Sequence, residues 1–346
     1  MRHWLVLRSP WPPFSFRVRA RFPLVILALL FLIVVTLVFS VSVGEYQVPP
    51  LAVLETLLGN GSRSYTFIIM TLRLPRALIA ILVGMGFAAA GAILQGLTRN
   101  PLASPDIIGI SHGASLAAVS VLILFSGIAF AWLPLFAFAG ASLAALLVYL
   151  LAWRSGSSPT RLLLVGIGLG AVASAFVQIV LSMSQVIQVG QAMTWLAGSV
   201  YGRSWEQFWI LLPWLAIFLG IALFMSRHLD ALQLGDDLAR GLGSNVEWQR
   251  ALLLVACVGL AGGSVAVAGT IGFVGLMAPH IARVLIGPSH GGLLPVATLV
   301  GGLMVVAADL LGRVLFPPIE IPCGVVTAVI GAPYFIWLLI RSRSFA

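Results

Sequence analysis

Charged residues are scarce in this sequence, and lysine is absent altogether. Asp, Glu, Lys and Arg make up 8% of the 346 residues, whereas 60% are hydrophobic and the mean hydropathy is +1.10. A soluble domain is typically about 25% charged. A chain with so few charges cannot cover a water-facing surface around a large core, so we infer that lipid surrounds much of it. The composition therefore argues against a soluble globular protein.

The sequence also lacks the motifs of common catalytic and metal sites. Its two cysteines, Cys257 and Cys323, stand in apolar surroundings without zinc-site or disulfide spacing, so we interpret them as packing residues. It has no phosphate-binding Walker A loop, and no nucleophile stands at motif spacing from a base. We expect no enzyme activity, no cofactor and no bound metal. Active transport would need energy from a partner subunit or an ion gradient.

Long apolar runs account for most of the chain. Segments of roughly 20 residues, enough to cross a bilayer, fall near 22–42, 77–97, 106–125, 130–152, 162–184, 206–226, 251–268, 270–286, 294–315 and 323–340. The first is too long for a signal-peptide core and is interpreted as a retained anchor. The eighth contains Gly272, Gly275 and Pro279, which predict a short or broken helix buried among its neighbours. The predicted fold is an all-α polytopic membrane protein, with a basic amino terminus over residues 1–21 and one transmembrane domain over 22–343.

The distribution of the 19 arginines predicts how the chain is oriented. If both termini are cytoplasmic, 14 arginines face the cytoplasm and five face outwards, as the positive-inside rule requires. The outward residues are Arg63, Arg73, Arg76, Arg203 and Arg313. The net charge of +9 is scattered between apolar segments, so it does not indicate a nucleic-acid partner. We predict a multi-pass inner-membrane protein with segments 185–203 and 313–321 outside.

Small residues recur at helix-packing spacing within single segments. Gly84, Ala88, Ala92 and Gly96 form one such row. Rows of this kind let helix backbones approach closely in a membrane, where no hydrophobic effect drives association. They predict tight packing of the helix bundle.

The longest polar stretch between spans lies on the predicted cytoplasmic side, over about residues 228–249. Within it, Asp236 and Asp237 can open a short helix, and Gly241 or Gly243 can close it. A short capped helix at the membrane surface suits the docking of a soluble partner. From these residues alone, an ordinary solvated loop is the alternative.

The outward arginines show two patterns. Arg73 and Arg76 stand immediately before a membrane helix, and Arg313 follows Asp309 by four residues near the outer end of another. An i, i+4 pair can form a local ion pair. Local pairing and display to an acidic partner both remain open.

Seven motifs occur in a fixed order along the chain. They are RLPR at 73–76, NPLASP at 100–105, IGISHGA at 108–114, GTIGFVGL at 269–276, PHIAR at 279–283, IPCGV at 321–325 and GAPYFIWL at 331–338. Together they resemble the BtuC/FecCD-type permeases, which import vitamin B12, ferric siderophores and haem. The resemblance extends from about residue 22 to 343. It implies a ten-helix subunit that pairs with a second permease, in a homodimer or a heterodimer, around a central pathway. Two ATP-binding-cassette ATPase subunits would lie beneath, and a periplasmic binding protein would deliver substrate from above.

The resemblance also implies roles for particular residues. Arg73, Arg76 and Arg313 would form salt bridges with the binding protein. The ATPase would dock on the coupling residues Leu234, Gly235, Asp236, Asp237, Leu238, Ala239, Arg240, Gly241, Leu242 and Gly243. The cytoplasmic gate would comprise Asn100, Leu102, Ser158, Pro159 and Thr160. Trp195 and Tyr201 would line the outer mouth of the pathway.

The resemblance favours an iron(III)-siderophore-type chelate as the substrate, because residues 316–322 look more like the ferric-siderophore branch than the B12 branch. Haem and vitamin B12 are the alternatives with the same architecture. An ion-coupled secondary transporter would need acidic residues near mid-membrane, but Asp106, Asp309 and Glu320 are predicted near helix ends. A non-transporting membrane scaffold would have no reason to carry gating and coupling motifs together.

Overall fold

The computed structural model describes residues 4–9, 14–19, 21–44, 46–125, 130–153 and 158–342. The chain opens with an antiparallel hairpin of two strands, β1 (Trp4–Ser9) and β2 (Phe14–Arg19), in which Trp4 pairs with Arg19. This hairpin lies within the predicted basic amino terminus. The regular structure described beyond it is helical.

Fifteen α-helices follow the hairpin in the described residues. Their bounds are α1 (Phe22–Ser42), α2 (Pro50–Leu57), α3 (Arg63–Phe67), α4 (Leu74–Thr98), α5 (Ile110–Leu124), α6 (Leu133–Ala152), α7 (Pro159–Ser182), α8 (Val186–Leu196), α9 (Trp205–Phe224), α10 (Ser226–Gln233), α11 (Asp236–Gly241), α12 (Val246–Ala268), α13 (Val274–Ile286), α14 (His290–Val314) and α15 (Cys323–Ser342). A π-helical turn, Ile68–Arg73, joins α3 to α4, and a short 3-10 turn, Phe130–Trp132, precedes α6.

Ten of these helices correspond to the ten predicted segments. Within the described residues, seven are long and apolar enough to cross a membrane, namely α1, α4, α6, α7, α9, α12 and α14, and α5, α13 and α15 are shorter apolar helices. The predicted all-α membrane fold is therefore confirmed. The eighth segment is the 13-residue α13, preceded by the non-helical residues 269–273. The third begins at Ile110, later than predicted, because residues 101–109 form turns after α4.

Helix α4 is the centre of the bundle and packs against α12, α13 and α14. In the most apolar 18-residue stretch of the span that contains α4, 83% of the residues are buried. Backbone contact is closest at glycines: a Cβ added to Gly84 would lie 2.1 Å from the carbonyl oxygen of Gly301, and one added to Gly91 would lie 1.8 Å from that of Gly275. The predicted row of small residues in α4 thus allows tight helix packing.

The outer ring of helices exposes apolar side chains. In each of α1, α6, α7 and α9, only 17 to 22% of the residues in the most apolar 18-residue stretch are buried within this chain. Phe31, Leu150 and Phe176 are each more than half exposed. A surface of this kind needs lipid or a protein partner in place of water.

Charged residues lie at both ends of α4. Arg76 lies in its first turn and Arg99 caps its last. They are 23 residues apart in a helix that rises about 1.5 Å per residue, so they lie about 35 Å apart. This separation matches a hydrocarbon core of roughly 30 Å. We call the end with Arg76 the outer end and the end with Arg99 the inner end.

Candidate functional sites at the two ends of the bundle

Arg73 ends the π-helical turn and binds the carboxyl end of α1. Its Nη1 donates to the carbonyl oxygens of Val41 (2.8 Å) and Ser42 (3.2 Å), and its Nη2 donates to that of Tyr46 (2.6 Å). Helices leave carbonyl groups at this end without intrahelical partners, so the guanidinium satisfies them. Arg73 is nevertheless only partly buried.

Arg76 is 8% exposed and joins two carboxylates. Its Nη2 lies 2.8 Å from Asp309 Oδ1, and its Nε donates to the same carboxylate at 3.1 Å. Its Nη1 lies 2.8 Å from Glu320 Oε2. Charge-assisted bonds of this forked kind are among the stronger hydrogen bonds in proteins. The ring of Tyr201 lies 5.4 Å from the guanidinium carbon, close enough for a cation–π contact.

Arg313 is also bound within the chain. Its Nη2 donates to the carbonyl oxygen (2.8 Å) and the hydroxyl (2.7 Å) of Ser40, and its Nε lies 3.5 Å from Asp309 Oδ2. The local pairing considered for Arg313 and Asp309 is thus present. Docking of a binding protein at Arg73, Arg76 and Arg313 stays a prediction.

These arginines border a cleft of about 630 Å³ at the outer end. Tyr201, which is 65% exposed, and Glu320 also line it. Tyr201 therefore lies at the outer cleft, and its role at the pathway mouth stays a prediction. Trp195 differs, because it is only 6% exposed and packs in the core, where its carbonyl oxygen approaches Gly269.

Arg203 lines the same cleft, but sequence reasoning had not singled it out as a site residue. Burial lowers its pKa from the usual arginine value. The sequence did carry a signal, since Arg203 is one of five arginines on the side where positive charge is disfavoured. The sequence did not show that three of the other four, Arg73, Arg76 and Arg313, line the same cleft with guanidiniums that are hydrogen-bonded within the chain.

A second cavity, of about 460 Å³, is lined by polar and apolar side chains of α5, α7 and α8 and of the turns before α5 and α13. Its lining includes Asp106, Ser111, His112, Ser174, Gln178 and Thr270. The hydroxyl of Ser111 donates to the carboxylate of Asp106. The lining thus combines the ionisable Asp106 with uncharged donors and acceptors, and polar residues within a membrane domain mark a candidate substrate pathway.

The depth of Asp106 was not evident from the sequence. Its neighbour Pro105 contacts Gly275, and Gly275 contacts Gly91 within the span of α4. The turn that carries Asp106 therefore enters the bundle instead of staying at its surface. A prediction from hydropathy placed this acid at a helix end, because it cannot show that the short α5 begins inside the membrane domain.

The predicted coupling segment forms a short helix at the inner end, as its capping residues indicated. Asp236 and Asp237 occupy the first turn of α11, and Gly243, with φ of 82°, follows its carboxyl end. The amide of Gly243 donates to the carbonyl of Arg240 (2.9 Å). A left-handed glycine after the last turn is a common helix terminator.

Asp236 attaches α11 to two long helices. Its carboxylate binds Nη2 of Arg99 at the end of α4 and, at 2.9 Å, Nη2 of Arg250 in α12. The side chain of Arg250 is only 1% exposed. Asp237 by contrast is fully exposed, with Arg240 at 3.6 Å as its ion-pair partner. A movement of α11 would therefore act on α4 and α12 through Asp236.

The predicted gate and the coupling segment meet in one cavity of about 620 Å³ at the inner end. Ser158, Pro159 and Thr160 line it on one side, with Arg99 and the residues 234–238 on the other. Two residues of the other predicted gate segment, Asn100 and Leu102, follow Arg99 directly in a turn where Asn100 Oδ1 accepts from the amide of Leu102 (2.9 Å). The structure thus brings the predicted inner residues together.

A further ion pair links α10 to α14 at the inner end. Asp230 accepts from the amide (2.8 Å) and pairs with Nδ1 (2.6 Å) of His290, and Ser289 donates to it at 2.9 Å. Burial opposes ionisation of Asp230, but these hydrogen bonds outweigh it and lower the pKa of the carboxyl group. The coupling region is therefore held by carboxylates at Asp230 and Asp236.

These features define a class of protein. A helical membrane domain with a cleft lined by charged residues at each end, a further cavity that contains polar side chains, and a surface helix bound to the central helices has the organisation of a transport permease. Among the described residues, no cluster of three His, Cys, Asp or Glu side chains could hold a metal ion.

Comparison with known proteins identifies the family. The model of the FecCD transport family matches residues 32–341, and the chain belongs to that family. It is 48% identical over 316 residues to an Fe(3+)-citrate import system permease protein of Bacillus subtilis, covering 91% of this chain and 94% of that protein. It is 44% identical to an iron(3+)-hydroxamate import system permease protein of the same organism, covering 93% of this chain and 98% of that one.

A solved structure supports the same conclusion. An inward-facing transporter assigned to the metal-chelate type of ABC transporters superposes with a TM-score of 0.81 at 31% identity, covering 92% of this chain and 99% of that chain. The predicted family and the predicted ABC-permease fold are therefore confirmed.

Proposed function

We propose that this chain is the membrane-spanning permease subunit of an ATP-binding-cassette importer for an iron(III)-siderophore-type chelate. A separate ATPase drives it, and a periplasmic binding protein supplies the substrate. The observation that carries the proposal is membership of the FecCD transport family over residues 32–341. Relatives with 44 and 48% identity over nearly the whole chain are permeases of ferric-hydroxamate and ferric-citrate import systems, which supports iron chelates over haem or vitamin B12.

The surface of α11 supports docking of an ATPase. Leu234, Leu238 and Leu242 in and beside this helix are 59 to 68% exposed at the inner end. Leu238 lies within α11, Leu242 follows its last residue, and Leu234 lies just before Gly235, which precedes the helix. Apolar side chains on a surface helix mark a protein contact, and a cleft in a soluble ATPase is the occupant that the family implies.

The outer cleft supports docking of a binding protein around Arg73. Among the three predicted docking residues, Arg73 is more exposed than Arg76, and it borders the cleft. Arg76 and Arg313 hold the surrounding elements together through Asp309 and Ser40. In this proposal the buried pair shapes the docking surface, and Arg73 presents charge to the partner.

Reconstitution tests the proposed function. The permease, with its cognate ATPase in nanodiscs or proteoliposomes and its binding protein outside, should take up radiolabelled ferric chelate only when ATP is inside. Haem and cyanocobalamin serve as competing substrates of the same architecture. Uptake driven by a proton or sodium gradient without ATP would identify a secondary transporter, and uptake of haem or cobalamin alone would replace the iron chelate as substrate.

A further inference from the structure

Among the arginines at the outer cleft, Arg203 differs in that its guanidinium makes no hydrogen bond or ion pair with the described residues. Arg73, Arg76 and Arg313 each donate two or more hydrogen bonds within the chain. Arg203 by contrast has no hydrogen-bonding or ionic partner for any of its three side-chain nitrogens among the described residues. Its Nε is buried without a hydrogen bond, as is the Nε of Arg313. A buried cationic donor without a partner is costly, so its retention points to a ligand that completes it.

The loop that carries Arg203 is held rigidly. Gly198 and Gly202 adopt left-handed conformations, with φ of 71° and 68°, that produce its turns. The amide of Ser199 donates to the carbonyl of Ala268 (2.7 Å), and Nε1 of Trp205 donates to the carbonyl of Met70 (2.6 Å). The backbone at Arg203 is therefore held in place by bonds that do not involve its own side chain.

The size and charge of the cleft indicate what the ligand is. Four guanidiniums line it, those of Arg73, Arg76, Arg203 and Arg313, whereas Glu320 is its one acidic lining residue among the described residues. Asp309 behind Arg76 supplies a second negative charge, which leaves an excess of positive charge. The volume of about 630 Å³ lies within the range of small-molecule sites, roughly 300–1,000 Å³. A small anion can reach the two Nη groups of Arg203 from the cleft, whereas a partner protein docked across the rim would contact exposed groups first.

We propose that Arg203 binds a carboxylate of an anionic iron(III) chelate as the chelate enters the outer cleft. This inference rests on the proposed function and adds the charge of the substrate to it. Arg203 offers two parallel N–H donors, the geometry that matches a carboxylate. Tyr201, exposed beside it, provides a ring face and a hydroxyl for the rest of the chelate. A neutral trihydroxamate chelate would gain nothing from this arginine.

The test compares an anionic and a neutral chelate in the reconstituted complex. Arg203→Gln should raise the KM for uptake of ferric citrate about tenfold, equivalent to about 1.4 kcal/mol, and should change the KM for a neutral ferric trihydroxamate less than about twofold. Arg203→Lys should recover part of the loss. Gln191→Glu is the matched control, because it makes the same change in net charge at an exposed position outside the cleft lining and should leave both KM values unchanged.

Two direct measurements separate the possible outcomes. Calorimetry of ferric citrate with the permease–ATPase complex, without binding protein, should detect binding to the parent and weaker binding to Arg203→Gln, whether or not uptake is observed. Affinity for the substrate-free binding protein should be unchanged. Equal effects on both chelates, or equal citrate binding in parent and variant, would overturn the inference. A loss confined to binding-protein affinity would assign the carboxylate to that protein and overturn it too. Absence of ATP-driven uptake in the parent would instead contradict the proposed function.

Discussion

A single guanidinium, that of Arg76, connects α4 to α14 and to the segment after it. Asp309 is 2% exposed and Glu320 is 37% exposed at the side chain, so one ion pair is buried and the other is near the surface. The buried pair carries the larger penalty when it is broken, because the remaining charge stays away from water. The surface pair contributes little by itself.

We therefore expect Arg76→Gln to destabilise the permease by about 3–5 kcal/mol, seen as a lower midpoint of thermal unfolding in detergent. Arg203→Gln is the matched control, since Arg203 has no acidic partner among the described residues, and it should unfold close to the parent. If Arg76→Gln is as stable as the parent but binds the delivery protein poorly, docking is the main role of Arg76 and the structural role is wrong.

At the scale of elements, α11 is attached to the bundle mainly through the carboxylate of Asp236, beside a longer ion pair of 3.7 Å between Arg240 and Glu247 of α12. Asp236 contacts both Arg99 and Arg250, whereas the neighbouring Asp237 points to solvent. We expect Asp236→Asn to reduce ATP-driven uptake about tenfold, within the usual range of coupling energies between sites, while ATP hydrolysis by the complex continues. Asp237→Asn, which has the same change in charge one residue away, should reduce uptake much less. Equal effects of the two variants would show that charge at α11, and not its attachment to α4 and α12, matters.

Helix packing gives a second comparison at this scale. A side chain at Gly84 would overlap the backbone of Gly301, whereas a Cβ at Gly168 in α7 would meet no atom within 4 Å in this chain. Both glycines lie in helix interiors, so the change in helix propensity is the same. Gly84→Val should cost about 1–3 kcal/mol or more through overpacking, measured as a lower unfolding midpoint. Gly168→Val should have little effect on the isolated chain. A similar fall in the unfolding midpoint of both variants would show that valine destabilises either helix by itself, without overpacking against Gly301.

For the whole molecule, the sequence predicted the number and order of the ten apolar helices but not how their polar residues meet. Hydropathy is a local property, so it located ten apolar segments to within a few residues. The capping residues of α11 were equally local and predicted a short helix there. The pairs that define the sites are not local: Arg76 and Asp309 are 233 residues apart, and Arg99 and Asp236 are 137 apart. Nothing in the spacing of such residues indicates that they touch.

The same reasoning explains the arginines. Sequence alone left local pairing and docking open for Arg313, because an i, i+4 spacing permits a pair without requiring it. The structure adds Ser40, from α1, as the main hydrogen-bonding partner of Arg313. It also distinguishes Arg203 from the other arginines at the cleft. Arg203 differs because no carboxylate or carbonyl group of the described residues lies within bonding distance of its guanidinium. A count of arginines along the sequence does not contain that information.

The orientation of the molecule in the membrane is the remaining prediction from the whole chain. Pro318 lines the cleft at the outer end, whereas Asp237 lines the cavity at the inner end. With 14 of 19 arginines assigned to the cytoplasmic side, the positive-inside rule predicts that the inner end faces the cytoplasm and that both termini lie there.

Single cysteines at Gln188 and Pro318 should therefore react with an impermeant thiol reagent in intact spheroplasts. A cysteine at Asp237 should react only after the membrane is permeabilised. The native Cys257 and Cys323 are buried, so the parent protein should show little labelling and serves as the background. Labelling at Asp237 in intact spheroplasts, with protection at Gln188 and Pro318, would invert the topology.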